Sequence, residues 1–405
     1  MSSTFFALGV PAPIADRLAM RGIAEPFPIQ AATLPDALAG RDVCGKAPTG
    51  SGKTIAFGIP LIARVRRAEP KRPRGLVLVP TRELAAQVAT ELRELGGRKG
   101  PSVLPVYGGV GFGPQISALR KGVDIVVACP GRLADLVAQG HVRLDAVELV
   151  VLDEADRMAD MGFLPEVKRL LDTVRDDRQT LLFSATLDGD VDVLVKRYQR
   201  SPVRHELAAA EDDTPNRHVF WKLDRSERVS VLADVLNAEW PAVVFCRTKH
   251  GADRLAKQLG KAGVSAAAIH GDRSQSQRER ALASFASGKV QALVATDVAA
   301  RGIHVDDVAA VVHYDPPGST KDYVHRSGRT GRAGATGLVV SLVDKEQQPA
   351  AADLIGKLGF EPTLHWPDLE ALRAGRHDAR PLVAVPVTGS TQTTQRGHRR
   401  RRRTH

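Results

Sequence analysis

Apolar residues along this chain fall into short runs of aliphatic and β-branched side chains, separated by amphipathic stretches. In the first half the runs lie at 76–79, 103–106, 124–128, 147–152 and 180–183. Between them, segments such as Glu83 to Leu95 carry apolar residues at helical spacing. Continuous apolar runs read as strands buried on both faces, and their alternation with helices predicts a parallel sheet flanked by helices. From Glu206 to Asn216 the chain is rich in Ala and acidic residues, ends Thr-Pro-Asn, and shows neither pattern. That stretch reads as a linker. The alternation then restarts, with runs at 218–223, 242–246, 265–269, 291–295, 309–313 and 338–343 and helices such as Gly251 to Leu259 between them. The expected organisation is α/β: a first unit over 1–205, a linker over 206–217, a second unit over 218–365 and a C-terminal extension over 366–405. Two sheets joined by a flexible segment imply a cleft between them. From roughly Arg380 onward the composition is too polar to bury a core, and a disordered tail is expected.

Composition narrows the partners. The chain has 405 residues, enough for two ordinary domains, and 57 Lys and Arg against 46 Asp and Glu, a formal net charge of +11. A basic balance favours a polyanion or an acidic membrane surface. Much of the excess sits at the end, in Arg396 and the run Arg399 to Arg403, so a tail that tethers a polyanion through phosphate contacts is expected, with Arg399, Arg400 and Arg401 among its members; a membrane or acidic-protein contact and a passive solubilising end are the alternatives. Cys44, Cys129 and Cys246 are isolated, without disulfide or zinc spacing, and read as reduced small apolar residues. No apolar run approaches the roughly 18 to 20 residues that cross a bilayer, and no signal-like N-terminus is seen. A cytoplasmic protein without membrane contact is expected.

The chemistry begins at Ala47-Pro48-Thr49-Gly50-Ser51-Gly52-Lys53-Thr54, which follows Val43-Cys44 and precedes the helix-compatible Ile55 to Ile62. Strand, glycine loop and helix in that order form a phosphate cradle. Its glycines let backbone N–H groups close on phosphate oxygens, Lys53 reaches the terminal phosphates, and Thr54 can ligate magnesium. About a hundred residues later the apolar Leu149 to Leu152 ends in Asp153-Glu154-Ala155-Asp156. Alone, these could be acids capping a helix. Paired with the phosphate loop, Asp153 is placed to hold magnesium and Glu154 to orient and deprotonate water.

With these strings the chain resembles the DEAD-box family of RNA helicases over nearly all of residues 5 to 345. The resemblance implies two tandem RecA-like domains that close around ATP and single-stranded RNA, with magnesium. It implies that Gln30, in Gly22 to Gln30, reads the adenine edge and that Phe5 stacks on adenine. Thr81 and Arg82 in Pro80 to Leu84, Gly109 after Gly108, and Pro130, Gly131 and Arg132 after Cys129 resemble the family's RNA-backbone contacts. In the second half Arg247, Gln275, Arg278 and Thr296 occupy matching positions. Ser184 and Thr186, with Asp156 and His325, resemble the elements that couple hydrolysis to strand separation. Arg329 and Arg332, in His325 to Arg332, look like arginine fingers, catalytic together with Lys53, Asp153 and Glu154. His304 stands where the family usually has Asp. Two readings of it remain: altered nucleotide affinity or closure, with Asp306 or Asp307 substituting, or neutral drift.

The function so implied is ATP-dependent local unwinding of RNA duplexes or remodelling of RNA–protein complexes. Expected partners are single-stranded and duplex RNA, ribosomal or ribonucleoprotein particles among them, with the chain acting as a monomer. A DNA translocase and an ATP-gated RNA clamp are the alternatives.

Overall fold

The computed structural model describes residues 4–48, 50–207, 216–300, 305, 308–331 and 336–373. The first domain is a seven-stranded parallel sheet of β1 (Val43–Lys46), β2 (Gly75–Leu78), β3 (Val103–Val106), β4 (Ile125–Ala128), β5 (Leu149–Asp153), β6 (Gln179–Ser184) and β7 (Val203–Glu206), in the order β3-β4-β2-β5-β6-β1-β7. The second is a six-stranded parallel sheet of β8 (Arg217–Lys222), β9 (Ala242–Phe245), β10 (Ala266–Ile269), β11 (Ala292–Ala295), β12 (Ala310–His313) and β13 (Leu338–Val343), in the order β10-β11-β9-β12-β13-β8.

Strand periodicity explains why both faces of each sheet are apolar. Successive side chains point to opposite faces, so Leu76, Val126, Val150 and Leu182 enter one core layer while Val77, Val127, Val151 and Leu181 enter the other. The second sheet repeats this with Val244, Val294 and Val312 on one side and Val243, Leu293 and Val311 on the other. Helices close both layers. The helix Arg82–Gly96 starts where the Thr81 hydroxyl accepts from Leu84 N at 3.3 Å, and it buries Leu84, Ala85, Val88, Ala89, Leu92 and Leu95 along one face. Truncating one such residue, Leu92 to Ala, removes about 2–5 kcal/mol.

Strand order positions the chemistry. β5, β6 and β1 are neighbours, so the acidic string after β5, Ser184 ending β6 and the phosphate loop after β1 emerge side by side at the carboxyl edge, where open α/β sheets hold ligands. Two elements lie beyond the expected runs. β7 pairs Val43 with Val203 through to Lys46 with Glu206. The helix Leu369–Arg373 follows residue 365 and inserts Leu372 into the second core. Among the described residues no helix is long and apolar enough to cross a membrane. Thr49, His304, Asp306, Asp307, Arg332, Arg399, Arg400 and Arg401 lie outside the described residues, as does most of the expected linker.

Candidate functional site

In the first domain the phosphate loop is held closed by its own lysine. Lys53 opens the helix Lys53–Arg64, is buried, and its Nζ donates to the carbonyls of Ala47 at 2.9 Å and Pro48 at 3.1 Å. Gly52 has φ +85°, and a Cβ there would run into Gln30 Nε2 and the Phe27 ring, so only glycine suits this position. Gln30 is buried; its Nε2 donates to Gly52 O at 3.0 Å and its Oε1 accepts from Phe27 N at 2.9 Å. Gln30 therefore ties the loop to the segment preceding its helix. Ser51 Oγ donates to Pro48 O at 2.8 Å, and Gly50 shares the loop's left-handed backbone, with φ +85°. Thr54, the second residue of the helix Lys53–Arg64, also lines a groove with Leu84, Gln87 and Val88.

Asp153 ends β5 fully enclosed. Burial pushes its carboxyl up to about 7, opposed by the Lys53 charge and reinforced by Glu154. Glu154 N donates to Asp153 Oδ1 at 3.0 Å, and Glu154 takes a left-handed φ of 52° at the start of the helix Ala155–Asp160. Such a conformation costs a non-glycine residue about 1–3 kcal/mol and is characteristic of functional positions. Its Oε2 accepts from Arg157 Nη1 at 2.8 Å. Asp156 N donates to the buried Ser184 Oγ at 3.1 Å, which links the acidic string to the end of β6; Thr186 is exposed.

The second domain brings the helix Thr320–Ser327, capped where the Ser319 hydroxyl accepts from Asp322 N at 3.1 Å. Arg326 grips Asp297 through Nε at 2.6 Å and Nη2 at 2.7 Å, and Nη1 donates to Asp315 O at 2.8 Å. Its guanidinium lies 5.0 Å from the centroid of the Phe245 ring. The turn that follows carries the buried Arg329. One cavity of about 170 Å³ is lined by Lys53, Glu154 and Arg157 from the first domain and by His325, Gly328 and Arg329 from the second. Burial lowers the Arg157 pKa, Glu154 opposes the shift, and the like charge of Arg329 adds to it. Ion pairs that join the domains include Arg278 Nε to Glu83 Oε1 at 2.6 Å, both buried, and Lys321 Nζ to Asp160 Oδ1 at 2.5 Å, with the lysine exposed.

Residues expected on RNA gather in part. A Cβ on Gly109 would strike the Arg82 guanidinium, and Gly108 lies between Arg82 and Arg132. Arg132 donates to Val110 O at 3.0 and 3.1 Å and lies 3.9 Å from the centroid of the Phe112 ring. Pro130 and Gly131 form the first turn of the helix Pro130–Ala138, behind Cys129, whose thiol burial pushes up to about 12. Thr81 caps its helix as described. In the second domain Arg247 is exposed, with its backbone N donating to Asp315 Oδ2 at 2.8 Å, and Thr296 is buried after β11.

Three expectations are corrected. Phe5 is 3% exposed and packs with Val10, Ile14, Leu18 and Leu34 rather than facing a base; the exposed ring beside the loop is Phe27, at 55%. A ring that plugs the core under the first helix gains about 1.5–3 kcal/mol by staying there. Arg278 does not present itself to phosphate, because a buried guanidinium needs its carboxylate partner and Glu83 supplies it. Gln275 is buried as well, with Nε2 on Glu279 Oε1 at 3.1 Å. Glu83, Arg157, Asp297 and Arg326 escaped the reading as site residues. Each lies within or beside a quoted motif, and their roles depend on partners distant in sequence.

The fold and cleft define a class: two RecA-like units whose shared cavity sets a phosphate loop and an acidic string of one against an arginine-bearing turn of the other. Family models narrow it: the one described as "DEAD/DEAH box helicase" matches residues 27–194, and that described as "Helicase conserved C-terminal domain" matches residues 227–334. The chain is 42% identical over 369 residues to DEAD-box ATP-dependent RNA helicase 30 of Arabidopsis thaliana, covering 89% of this chain and 62% of that protein. To DEAD-box ATP-dependent RNA helicase CshA of Geobacillus kaustophilus it is 42% identical over 344 residues, covering 84% of this chain and 73% of the relative. Among solved structures, S. cerevisiae Dbp5 bound to RNA and ADP BeF3 superposes with a TM-score of 0.78 at 26% identity, covering 92% of this chain and 97% of that one. A DEAD box protein from Methanococcus jannaschii gives 0.52 at 35% identity, covering 91% and 100%. This chain belongs to the DEAD-box ATP-dependent RNA helicase family.

Proposed function

We propose that this chain is an RNA-dependent ATPase that couples ATP binding and hydrolysis to local unwinding of RNA duplexes or remodelling of RNA–protein complexes. The observation that carries the reading is the shared cavity, in which Lys53 and Glu154 of one domain face Arg329 of the other. A terminal phosphate entering there draws Lys53 from the Ala47 and Pro48 carbonyls, Glu154 orients and deprotonates the attacking water, and Arg329 stabilises charge in the transition state. Gln30 keeps one amide N–H and one lone pair for an adenine edge, with Phe27 the ring nearest the loop. Asp153, a buried carboxylate with only partial compensation from Lys53, suits magnesium. Among the described residues no three acidic, His or Cys groups gather into a metal cluster, so Asp153 would hold the ion with phosphate oxygens and water completing its shell. When bound, the ion neutralises phosphate charge.

RNA lies across both domains on Arg82, Gly109, Arg132, Arg247 and Thr296, contacts that suit a backbone rather than a sequence. The close superposition on a relative holding RNA and ADP BeF3 supports a closed arrangement. Hydrolysis and phosphate release reopen the cleft. The proposed setting is the cytoplasm, with the chain acting as a monomer on single-stranded and duplex RNA, ribosomal or ribonucleoprotein particles among its partners.

The test is ATP hydrolysis with RNA, with DNA and with neither, followed by separation of a labelled RNA duplex. RNA alone should stimulate hydrolysis, and separation should require ATP. Glu154→Gln should abolish turnover while keeping ATP-dependent RNA binding. Hydrolysis indifferent to RNA would sink the reading. Equal stimulation by DNA would favour the translocase, and binding without separation the clamp.

A further inference from the structure

The second domain carries a side-chain pair that neither the nucleotide cavity nor the expected RNA contacts use. β8 is the outermost strand of its sheet, and the chain returns along its open edge: Lys222 N donates to His365 O at 2.8 Å, His365 N donates to Phe220 O at 3.1 Å, and Trp221 pairs with His365 in parallel. This return covers an edge that would otherwise be free to pair. It also fixes the backbone of the next residue, Trp366. Its indole is 62% exposed, whereas the neighbouring Trp221 is 3% exposed within the core. The Lys222 ammonium lies 5.2 Å from the centroid of the Trp366 ring. A large aromatic left in water beside a cation forgoes a sizeable hydrophobic gain.

Its position adds to the case. Lys222 ends β8 at the same carboxyl edge at which β9 and β11 end, and Arg247 and Thr296 follow those two strands. In the order β10-β11-β9-β12-β13-β8, β8 is three strands from β9 and four from β11. At about 4.8 Å per strand this is roughly 14 and 19 Å, a few nucleotides of extended RNA. Trp240, the other exposed tryptophan, precedes β9 and so lies at the opposite edge. In sequence, the chain after Arg373 contains Arg376, Arg380, Arg396 and Arg399 to Arg403 against the single acid Asp378, whereas Asp368 and Glu370 follow Trp366 more closely. That basic stretch begins directly after Leu372, which is buried in one core cluster with Trp221.

We propose that Trp366 and Lys222 form a base-stacking site for single-stranded RNA outside the cleft, the indole taking an unpaired base and the ammonium an adjoining phosphate. The proposal rests on the RNA-helicase reading and extends its track across the sheet edge. One ring beside a cation, rather than a broad apolar patch, suits a nucleobase better than a protein surface.

The test uses the full chain and compares a labelled oligouridylate short enough to stay in the cleft with a longer one. Trp366→Ala should weaken binding of the long strand on the order of tenfold and leave the short strand unaffected. Trp366→Phe should restore most of the loss. Lys222→Gln should reduce the salt dependence of long-strand binding by about 0.7 in the logarithmic slope. In a Trp240→Phe background, the long strand should quench emission from Trp366, a readout that holds even if Trp366→Ala fails to fold. Equal long-strand affinities for wild type and Trp366→Ala, with no quenching, would overturn the stacking site while RNA-stimulated hydrolysis by the wild type upheld the helicase reading. A wild-type chain that neither binds RNA nor responds to it would overturn both.

Discussion

The two domains supply one cavity by different means. In the first, the reactive groups are held by the chain segments that deliver them: Lys53 on the carbonyls of its own loop, Asp153 at the end of β5, and Glu154 by a left-handed turn and Arg157. In the second, the delivering helix is held by an ion pair, Arg326 on Asp297, and Arg329 projects from the turn behind it. The first half carries the phosphate loop and the acidic string. In the proposed mechanism the second adds the positive charge of Arg329 when the domains meet, which would make closure and turnover one event.

The largest effect should come from removing the group that the second domain contributes. Arg329→Ala should reduce RNA-stimulated turnover by about 10³–10⁵-fold while nucleotide titration shows near-normal binding; a loss of tenfold or less would mean that the first domain suffices. Next comes the buried tie. Arg278→Ala strands Glu83 without its partner and should cost the closed state about 3–5 kcal/mol, read as a raised RNA requirement for ATP turnover. Exchanging the charges, Glu83→Arg with Arg278→Glu, should recover part of it.

Acid should separate the domains by sign. In the second, burial pushes His218 down to about 4, with Tyr323 OH at 2.7 Å from its Nδ1. Its contribution to stability is complete above about 6.5 and is lost as pH falls toward 4, about 3 kcal/mol in all. In the first, Asp153 is raised to about 7, so without magnesium its contribution is complete below the ordinary carboxylate range and is lost as pH rises toward 7. His218→Gln should therefore flatten acid destabilisation and Asp153→Asn should flatten the opposite trend, both followed by calorimetry. The smallest effect should be at the exposed tie: Lys321→Ala should change closure by about 0.2–1 kcal/mol. A loss equal to that of Arg278→Ala would erase the distinction between the two contacts.

Most of the fold was legible because its signals are local. Runs such as Leu149 to Leu152 are continuous and apolar, and glycine loops announce themselves by spacing. β7 was not, because Val203–Glu206 is a single short strand whose pairing with β1 lies about 160 residues back in the chain, as the Lys46 to Glu206 contact shows. The helix Leu369–Arg373 is too brief to display a period. The chemistry of the first half-site was readable as a motif, whereas the ties between motifs were not. Glu83 reads as a helix-start acid and Arg278 as a phosphate ligand until the fold places them 2.6 Å apart. Phe5 matched a pattern position, but the first helix needed its ring as core.

The chain leaves the first domain by β7 and enters the second by β8, and each is the outermost strand of its sheet. Viewed as a tensile joint, this arrangement loads both attachments in shear, along rather than across their ladders. β7 is held to β1 over four residue pairs, and β8 to β13 over six. Under a pulling force that draws the domains apart, the β7 anchorage should yield first. Because β1 leads into the phosphate loop, the weak point of the tether is also the strand that supports the nucleotide, and tension on the enzyme would be felt there before either core gives way.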